Sequence, residues 1–303
     1  MGAPAGSVTA CVVFALIAAA PHTARTETVT LVSEAYYPEG PLWHEGKLYY
    51  AEMTRDRIVV REGTNVRTFW RRKGCGPTSI APIPGGFVVA CHIERVLARI
   101  GTKGKTIGIV TKEARGRSIG NPNDSIADGN GGVYFTSSGL FIASAPATGR
   151  VFYLPPSGPP REVADNIHYG NGVVLSPNRR HLYVSAHIGR RVLRFEIGPK
   201  GRLSHRRVHV RLKARAAHAD RLAGPDGLAF DRHGNLFLAE YGAGRILVFA
   251  ADRRLHRIIT LKNRYVTNLE FGPRGKSLYV TAPASNSVWP YKGAVLRIDD
   301  PLR

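Results

Sequence analysis

Six segments of this chain repeat one pattern, and this repetition restricts the possible folds more than any other feature. Each segment has a short apolar strand, a turn rich in Gly, Pro, Asn or Asp, and a second strand rich in Tyr, Phe, Val and Leu, as in a β-hairpin. The six segments are PEGPLWHEGKLYYAEM (38–53), PTSIAPIPGGFVVACH (77–92), NDSIADGNGGVYFTSS (123–138), NGVVLSPNRRHLYVSAH (171–187), PDGLAFDRHGNLFLAEY (225–241) and TNLEFGPRGKSLYVTAP (267–283). A third strand usually follows, and a fourth, more polar one can be drawn for most units.

The spacing of the repeats predicts a β-propeller. Units that recur about every 40–55 residues and contain four antiparallel strands are typical of propeller blades. The strand TVTLVS (28–33) precedes the first unit, and the sixth unit lacks a fourth strand after AVLRID (294–299). We therefore predict an all-β, six-bladed β-propeller over residues 27–303, with four-stranded antiparallel blades and an N-terminal strand that closes the last blade.

The first residues resemble a secretory signal peptide. The apolar run VTACVVFALIAAA (8–20) ends in small residues, and cleavage near Ala20 or Ala24 fits this pattern. We therefore expect residues 1–24 to be a signal peptide and the mature protein to be periplasmic or secreted. No Lys or Arg precedes the run, so a buried or membrane-anchored N-terminal helix stays open as an alternative.

Two cysteines, Cys75 and Cys91, would remain after cleavage. An oxidising compartment would permit a disulfide between them. In the inferred hairpin, however, Cys91 lies opposite about Thr78 rather than Cys75. The sequence leaves the bridge open, because it does not fix the distance between the two Cα atoms.

The formal net charge of +21 raises the question of an anionic partner. The basic residues are spread over many turns as pairs such as 179–180, 190–191 and 253–254. No arginine-rich helix, zinc finger or other nucleic-acid-binding motif is present. We therefore predict no specific nucleic-acid binding, and we expect at most weak electrostatic association with anionic lipid or polysaccharide surfaces. The sequence does not indicate an oligomeric state.

Polar residues recur where the first strand of each unit begins. In a propeller this strand lines the central channel, so its first residues surround the channel mouth. The residues at this position are Glu39, Thr78, Asn123, Asn171, Asp226 and Asn268. The frequency of Asn and Asp in turns explains part of this pattern. It does not explain Glu39 in PEGP, because Glu is a poor turn residue.

Oxygen donors that converge on one axis indicate a site for a hard cation. Calcium accepts Asn carbonyl oxygens as well as carboxylates. No His or Cys occupies these positions, which argues against a zinc-type ligand set. We predict a calcium site held by Glu39, Asn171 and Asp226, with Asn123 as a further ligand or a substrate contact. Zn²⁺, Mn²⁺ and Mg²⁺ are the alternative ions, and a purely turn-forming role for these residues is the alternative to a metal site.

Four motifs resemble one known family. YPEGPLW, NPNDSIAD, GNGVVLSPN and GPDGLAFD occur in the family order of the senescence-marker-protein (regucalcin) and gluconolactonase propellers, and the resemblance covers about residues 30–298. It implies a divalent metal, commonly calcium, at the top of the channel. The implied ligands are Glu39, Asn171 and Asp226, with Asn123 in the substrate pocket. The chain is also similar to calcium-dependent organophosphate-hydrolysing propellers and drug-responsive lactonases, in which the residue matching Asn123 can bind the metal directly.

Two departures from the family pattern concern the substrate. The sugar-lactone members usually carry Arg where this chain has Asn121, and they tend to read Asn-Asp-Gly where it reads Asn123-Asp124-Ser125. Both positions lie where the hydroxyl groups of a sugar lactone would be recognised. The resemblance therefore implies a small lactone or ester substrate in the broad sense, rather than gluconolactone in particular.

The implied chemistry is metal-assisted hydrolysis. The resemblance favours Asp226 as the catalytic acid–base residue, as ligand or general base. Direct attack by a metal-bound hydroxide stays open, because a ligated carboxylate is a weak base.

Further substrate contacts are expected around the ring. His92 and His187 end the second strands of their units, so we predict that they line the pocket or transfer a proton; the alternative is that they are simply polar residues at a strand end. His168 and Tyr169 lie immediately before the Gly-Asn pair that contains Asn171, and either could orient Asn171 or contact substrate. Asn121 and Asn268 complete the predicted substrate-binding set.

Two other functions remain open at this stage. A non-enzymatic propeller could bind calcium or a ligand at the channel mouth, because one fold hosts many functions. A lyase or a strictosidine-synthase-like condensing enzyme could also use this scaffold. The presence of all four predicted metal-site residues disfavours the condensing enzyme, which would be expected to lack some of them.

Overall fold

Asp side chains shape several of the hairpin turns that separate the strands. In the DRHGN turn, Asp231 Oδ1 accepts hydrogen bonds of 2.8 Å from the backbone amides of His233 and Asn235. Asp128 accepts a 2.7 Å bond from the amide of Asn130 in the same way. These local bonds substitute for backbone pairing in the turn, so the chain reverses at the positions that the repeats predict.

The computed structural model describes Gly2 and residues 22–23, 27–212 and 216–302. Before the first blade come the strands β1 (His22–Thr23) and β2 (Thr28–Tyr36). The first three blades contain β3 (Pro38–His44), β4 (Lys47–Glu52), β5 (Arg57–Glu62) and β6 (Asn65–Arg71); β7 (Pro77–Ile83), β8 (Gly86–Cys91), β9 (Val96–Gly101) and β10 (Thr106–Val110); and β11 (Pro122–Ala127), β12 (Val133–Ser137), β13 (Gly149–Leu154) and β14 (Arg161–Ile167).

The remaining strands form blades four to six. They are β15 (Gly170–Leu175), β16 (His181–Ala186), β17 (Arg191–Ile197) and β18 (Leu203–Arg211); β19 (Gly224–Phe230), β20 (Leu236–Tyr241), β21 (Arg245–Phe249) and β22 (Leu255–Thr260); and β23 (Asn268–Phe271), β24 (Ser277–Pro283) and β25 (Lys292–Asp299). Three short 3₁₀ turns, Met53–Arg55, Pro199–Gly201 and Pro273–Gly275, are the helical elements of the described residues.

The predicted six-bladed propeller is confirmed. In five of the sheets, the four antiparallel strands of the blade are consecutive in the sequence. The sixth blade contains β23, β24 and β25, and β2 completes it by pairing antiparallel with β25. The first strands of neighbouring blades contact one another around the channel, and β23 completes the ring by contacting β3. The short strand β1 adds a parallel edge to β22 in the fifth blade.

The hydrophobic core lies between the blades. Six clusters of buried residues occur, one at each interface between neighbouring blades, and the interface between blades one and two contains Trp70, Phe87 and Val89. Each blade therefore buries both faces against its neighbours. Polar residues occupy the channel instead, where the first strands converge.

Cys75 and Cys91 form a disulfide, which the sequence had left open. Cys91 pairs with Pro77 rather than Thr78 in the ladder. Cys75 lies in the turn just before β7, and its Cα is 4.5 Å from that of Cys91. The turn thus brings together two residues that strand pairing alone would separate.

The predicted signal peptide, residues 1–24, lies outside the described residues except for Gly2 and residues 22–23. Among the residues that are described, no helix combines the length and the apolar character needed to span a membrane.

Candidate functional site

A cavity of about 700 Å³ opens at one end of the channel. It is bounded by the ends of first and second strands and by the loops that follow them. Five of the six residues predicted at the channel mouth line it: Glu39, Thr78, Asn123, Asn171 and Asp226. All five side chains are buried. The propeller therefore brings together the residues predicted to hold a metal.

Asn268 was expected at this mouth, and the structure corrects its position. Its side chain lines a second cavity, of about 250 Å³, together with Asp124. Asn268 Oδ1 accepts a hydrogen bond from the amide of the following residue, as Asp124 Oδ1 does in blade three. Asn268 is thus equivalent to Asp124, and Thr267 takes the ring position. The predicted alignment of the sixth repeat is therefore shifted by one residue relative to the other repeats. A one-residue shift moves a strand side chain to the opposite face of the sheet.

Buried hydroxyl groups hold the ring residues from the neighbouring blade. Each donates to a backbone carbonyl at the start of the next first strand. The four bonds run from Thr78 Oγ1 to Asn123 O (2.7 Å), from Thr136 Oγ1 to Asn171 O (2.7 Å), from Ser185 Oγ to Asp226 O (2.6 Å) and from Thr267 Oγ1 to Pro38 O (2.8 Å). Such bonds fix the backbone that carries each candidate ligand.

Sequence reasoning did not assign a role to Thr136 and Ser185. A signal was present, because both occupy the same position in the second strand of their repeats, two residues before the cavity end. A hydroxyl residue inside an otherwise apolar strand needs a buried partner. The repeat alignment could therefore have identified them.

Glycines after two ring residues allow the first strands to approach closely. A Cβ atom on Gly172 would lie 2.2 Å from Asp226 O, and one on Gly227 would lie 2.2 Å from Asn268 Oδ1. Real side chains do not approach that closely. The Asn-Gly and Asp-Gly pairs of the repeats thus satisfy a steric requirement of the channel as well as placing an oxygen donor.

Glu39 and Asp226 form a concentrated negative site. Burial and the nearby Asp124 carboxylate raise the pKa of Glu39, and burial followed by repulsion from Glu39 and Asp124 raises the pKa of Asp226 well above its usual range. Within the described residues, neither carboxylate forms an ion pair with Lys or Arg. A divalent cation held by both carboxylates would offset the free-energy cost of burying their charges and the repulsion between them.

The donor chemistry fits a hard cation. Asn123 Nδ2 donates a 2.8 Å hydrogen bond to Ser138 Oγ, so the remaining amide atom is the oxygen, the type of donor that calcium accepts. No group of three or more His, Cys, Asp or Glu side chains in the described part of the chain is placed to hold a metal. A site at the mouth therefore depends on the amide oxygens of Asn123 and Asn171 as well as the two carboxylates.

His187 lies beside Asp226 in the cavity wall. Its Nε2 is 2.8 Å from Leu222 O, and since a carbonyl only accepts, Nε2 carries the proton. Its Nδ1 is buried without a hydrogen-bond partner in the structure and lies 3.9 Å from Asp226 Oδ2. Burial lowers the pKa of His187 to about 4. The neutral ring thus presents a lone pair, rather than a proton, toward Asp226.

The other predicted substrate contacts divide into two groups. His92 lines the cavity, and its Nδ1 is 3.1 Å from Pro122 O. Asn121 is not among the residues that line the cavity, and its Nδ2 donates a 3.1 Å hydrogen bond to His92 O. His168 also lies outside the lining, and Tyr169 faces the cavity in its place. The turn determines which of these two neighbouring side chains faces the cavity, and within it Tyr169 has a φ of 59°.

The family model for the SMP-30/Gluconolactonase/LRE-like region matches residues 37–284. A gluconolactonase of Zymomonas mobilis is 24% identical over 85% of this chain and 79% of its own length. A diisopropyl-fluorophosphatase of Loligo vulgaris is 24% identical over 69% of this chain and 72% of its own length. Both are hydrolases by name.

The propeller is also similar to that of a solved protein, the calcium-binding regucalcin of Agrobacterium tumefaciens. The TM-score is 0.77 at 16% identity, with 92% of this chain and 95% of the other covered. At that identity the likeness concerns the fold. The family model covers most of the chain and all six blades contribute residues to the match, so this chain belongs to the SMP-30/Gluconolactonase/LRE-like family of propellers.

Proposed function

We propose that this protein is a divalent-metal-dependent hydrolase of lactones or related esters, with calcium as the expected ion. The observation that carries the proposal is that Glu39, Asn123, Asn171 and Asp226 line one cavity with buried side chains, and that no Lys or Arg of the described residues pairs with the two carboxylates. The relatives named as hydrolases support the reaction class. The calcium-binding protein that shares the fold supports calcium as the first ion to test.

A bound divalent ion would polarise the carbonyl of the scissile ester and offset the charges of Glu39 and Asp226. Asp226 is the residue best placed to take a proton from an attacking water. As the water oxygen bonds to the carbonyl carbon, the bond from that carbon to the ring oxygen breaks, and the proton passes to the departing oxygen. A hydroxy acid is the product.

His187 is placed to assist this proton transfer. With Nε2 held by Leu222 O, the Nδ1 lone pair can accept a hydrogen bond from a water or from protonated Asp226. The ring is fixed by packing against Phe141 and Tyr241, whose centroids lie 5.2 and 5.6 Å from its own. His187 therefore orients the acid–base residue without carrying charge itself.

Export remains part of the proposal. The Cys75–Cys91 disulfide is the kind of bond that persists in oxidising compartments and is rare in the cytosol. Together with the signal-like run at residues 8–20, it supports a periplasmic or secreted protein. Fractionation of cells that express the full chain, with thiol alkylation of each fraction, tests this: an unbridged protein confined to the cytosol would contradict it.

Hydrolysis of a panel of small lactones and aryl esters, followed by pH-stat, tests the activity. The purified protein is first treated with a chelator and then supplied with Ca²⁺, Mg²⁺, Mn²⁺ or Zn²⁺. We expect turnover to disappear on chelation, to return with calcium, and to fall on the order of 10²-fold or more in Asp226→Asn. A protein that binds calcium but turns over none of the panel would instead be a ligand-binding propeller.

A further inference from the structure

Apolar side chains surround the entrance of the cavity. Of the large hydrophobic residues that are exposed in the described part of the chain, most belong to three loops at this end. The exposed residues in these loops are Ile93, Leu140, Phe141, Ile142, Val288 and Trp289. Ile93, Phe141 and Trp289 line the cavity, and Trp289 is 67% exposed. Exposing such groups to water is unfavourable, so a cluster of them marks a binding surface.

Aromatic rings continue from this entrance toward the candidate catalytic residues. Trp289 contacts Tyr291 with centroids 5.7 Å apart, and Tyr291 contacts Tyr37 at 5.8 Å. The Tyr37 hydroxyl is 3.1 Å from that of Tyr241. Phe141 lies 4.7 Å from Tyr169 and 6.4 Å from Tyr241, centroid to centroid. The cavity thus has continuous aromatic walls between its rim and the candidate metal residues.

No Lys or Arg is among the residues that line the cavity in the described structure. This is notable in a chain with 43 Lys and Arg residues. Recognition of a phosphate or carboxylate on a substrate normally uses Arg or Lys. Asn121, at the position where related sugar lactonases usually carry Arg, is turned away and bonded to His92 O. The lining therefore provides no Lys or Arg for an anionic substrate, and the Arg usual in sugar lactonases is missing.

The size of the cavity permits a substituted substrate. Its volume of about 700 Å³ falls in the range of pockets that hold drug-sized ligands. A bare lactone ring beside Asp226 would leave the outer part, between Phe141 and Trp289, filled by water against apolar walls. An aliphatic or aromatic substituent would displace that water.

We infer that the substrate is a neutral lactone or ester with an apolar substituent, bound with its ester group beside Asp226 and the substituent between Phe141, Ile93 and Trp289. This inference rests on the proposed hydrolase function and specifies its substrate. The hydrophobic effect then provides selectivity, because each methylene that is buried in the transition state raises kcat/KM by about two- to fourfold.

A homologous series of γ-lactones tests the inference, from γ-butyrolactone to γ-decalactone, with gluconolactone for comparison. We expect kcat/KM with calcium to rise along the series and to exceed that for gluconolactone. Phe141→Ala and Trp289→Ala should each reduce the ratio of long-chain to short-chain kcat/KM by about fivefold or more. The ratio is the readout because Phe141 also packs against His187, so its removal is expected to lower the activity toward every lactone. Ile142→Ala and Val288→Ala are matched controls, since both residues are exposed in the same loops but do not line the cavity; they should preserve the ratio.

Other outcomes separate the possible failures. If kcat/KM did not change along the series, or were higher for gluconolactone, the inference of an apolar substrate would be overturned. The proposed lactonase activity would still stand. A rise in activity that requires anionic vesicles and is reduced equally by Ile142→Ala and Val288→Ala would overturn it in favour of a lipid surface. Loss of turnover across the whole panel would overturn the hydrolase itself. In that case binding of 2-hexyltetrahydrofuran is followed by the shift in tryptophan emission that displacement of water around Trp289 should cause. Saturable binding that Phe141→Ala weakens would support the apolar specificity of the cavity, and no saturable shift would overturn it.

Discussion

His187 Nδ1 lies 3.9 Å from Asp226 Oδ2, and it is a buried nitrogen without a hydrogen-bond partner in the structure. The other ring nitrogen donates to Leu222 O. A purely structural histidine would be expected to satisfy both nitrogens when buried. A free lone pair beside a carboxylate is what the proposed role of His187 in orienting Asp226 requires.

Replacing His187 with Gln should lower kcat by roughly 10- to 100-fold and leave KM little changed, because a Gln amide can still donate to Leu222 O but lacks the ring lone pair. Steady-state kinetics on the best lactone measures this. His256→Gln, on an exposed outer strand, is the control. A wild-type kcat in His187→Gln would show that the ring serves only to hold the loop at Leu222.

Removal of a candidate ligand should stabilise the metal-free protein. Glu39→Gln and Asp226→Asn each replace a buried carboxylate that faces another one, so we expect the free energy of unfolding to rise by about 1 kcal/mol in the presence of a chelator. Glu52→Gln is the matched control, because Glu52 is equally buried but lies 2.7 Å from Arg57 Nε. It should destabilise the protein. Chemical denaturation measures the free energy of unfolding of the three variants. A decrease in all three would contradict the repulsion between the Glu39 and Asp226 carboxylates.

Calcium should raise the melting temperature of the wild type. Binding to the native state alone adds about 2.7 kcal/mol at a free calcium concentration one hundred times Kd. Glu39→Gln and Asp226→Asn should lose most of this shift, whereas Glu52→Gln should retain it. Differential scanning calorimetry with and without calcium measures the effect. An equal shift in all variants would place the calcium elsewhere.

Reduction of the Cys75–Cys91 disulfide should lower the free energy of unfolding by about 3 kcal/mol, the value expected for a closed loop of this length. The bridge lies beside His92 and Ile93, which line the cavity, so KM should rise as well. Denaturation and kinetics of Cys75→Ser/Cys91→Ser test both effects. Unchanged KM in a destabilised variant would limit the bridge to a role in stability.

Gly172→Ala should disturb the site through the backbone. The new Cβ would lie 2.2 Å from Asp226 O, so blades four and five must move apart, at a cost of about 1–3 kcal/mol. Calcium affinity should fall with stability. Gly108→Ala is the control, since its nearest neighbour would be at an ordinary 3.9 Å. Normal calcium affinity in Gly172→Ala would mean that the channel tolerates the shift.

Much of the fold and part of the site were predictable from the repeats. The boundaries of the six hairpins, the closing strand and the positions of Glu39, Asn123, Asn171 and Asp226 follow from local patterns, and the structure places all four residues in one cavity. Two buried acids at matching repeat positions also have local partners: Glu52 pairs with Arg57, and Glu240 with Arg245. These features depend on residues that are near one another in sequence.

The sequence by itself determined the number of blades, the way the ring closes and the type of donor at the channel mouth, because hairpin periodicity and turn chemistry are local properties. Only the tertiary structure decided that Thr267 rather than Asn268 takes the ring position, and that Tyr169 rather than His168 faces the cavity. It also decided that Ile93, Phe141 and Trp289 meet at one entrance. The physical reason is that a one-residue offset reverses the direction of a side chain, and that loops from distant blades become neighbours only when the ring closes.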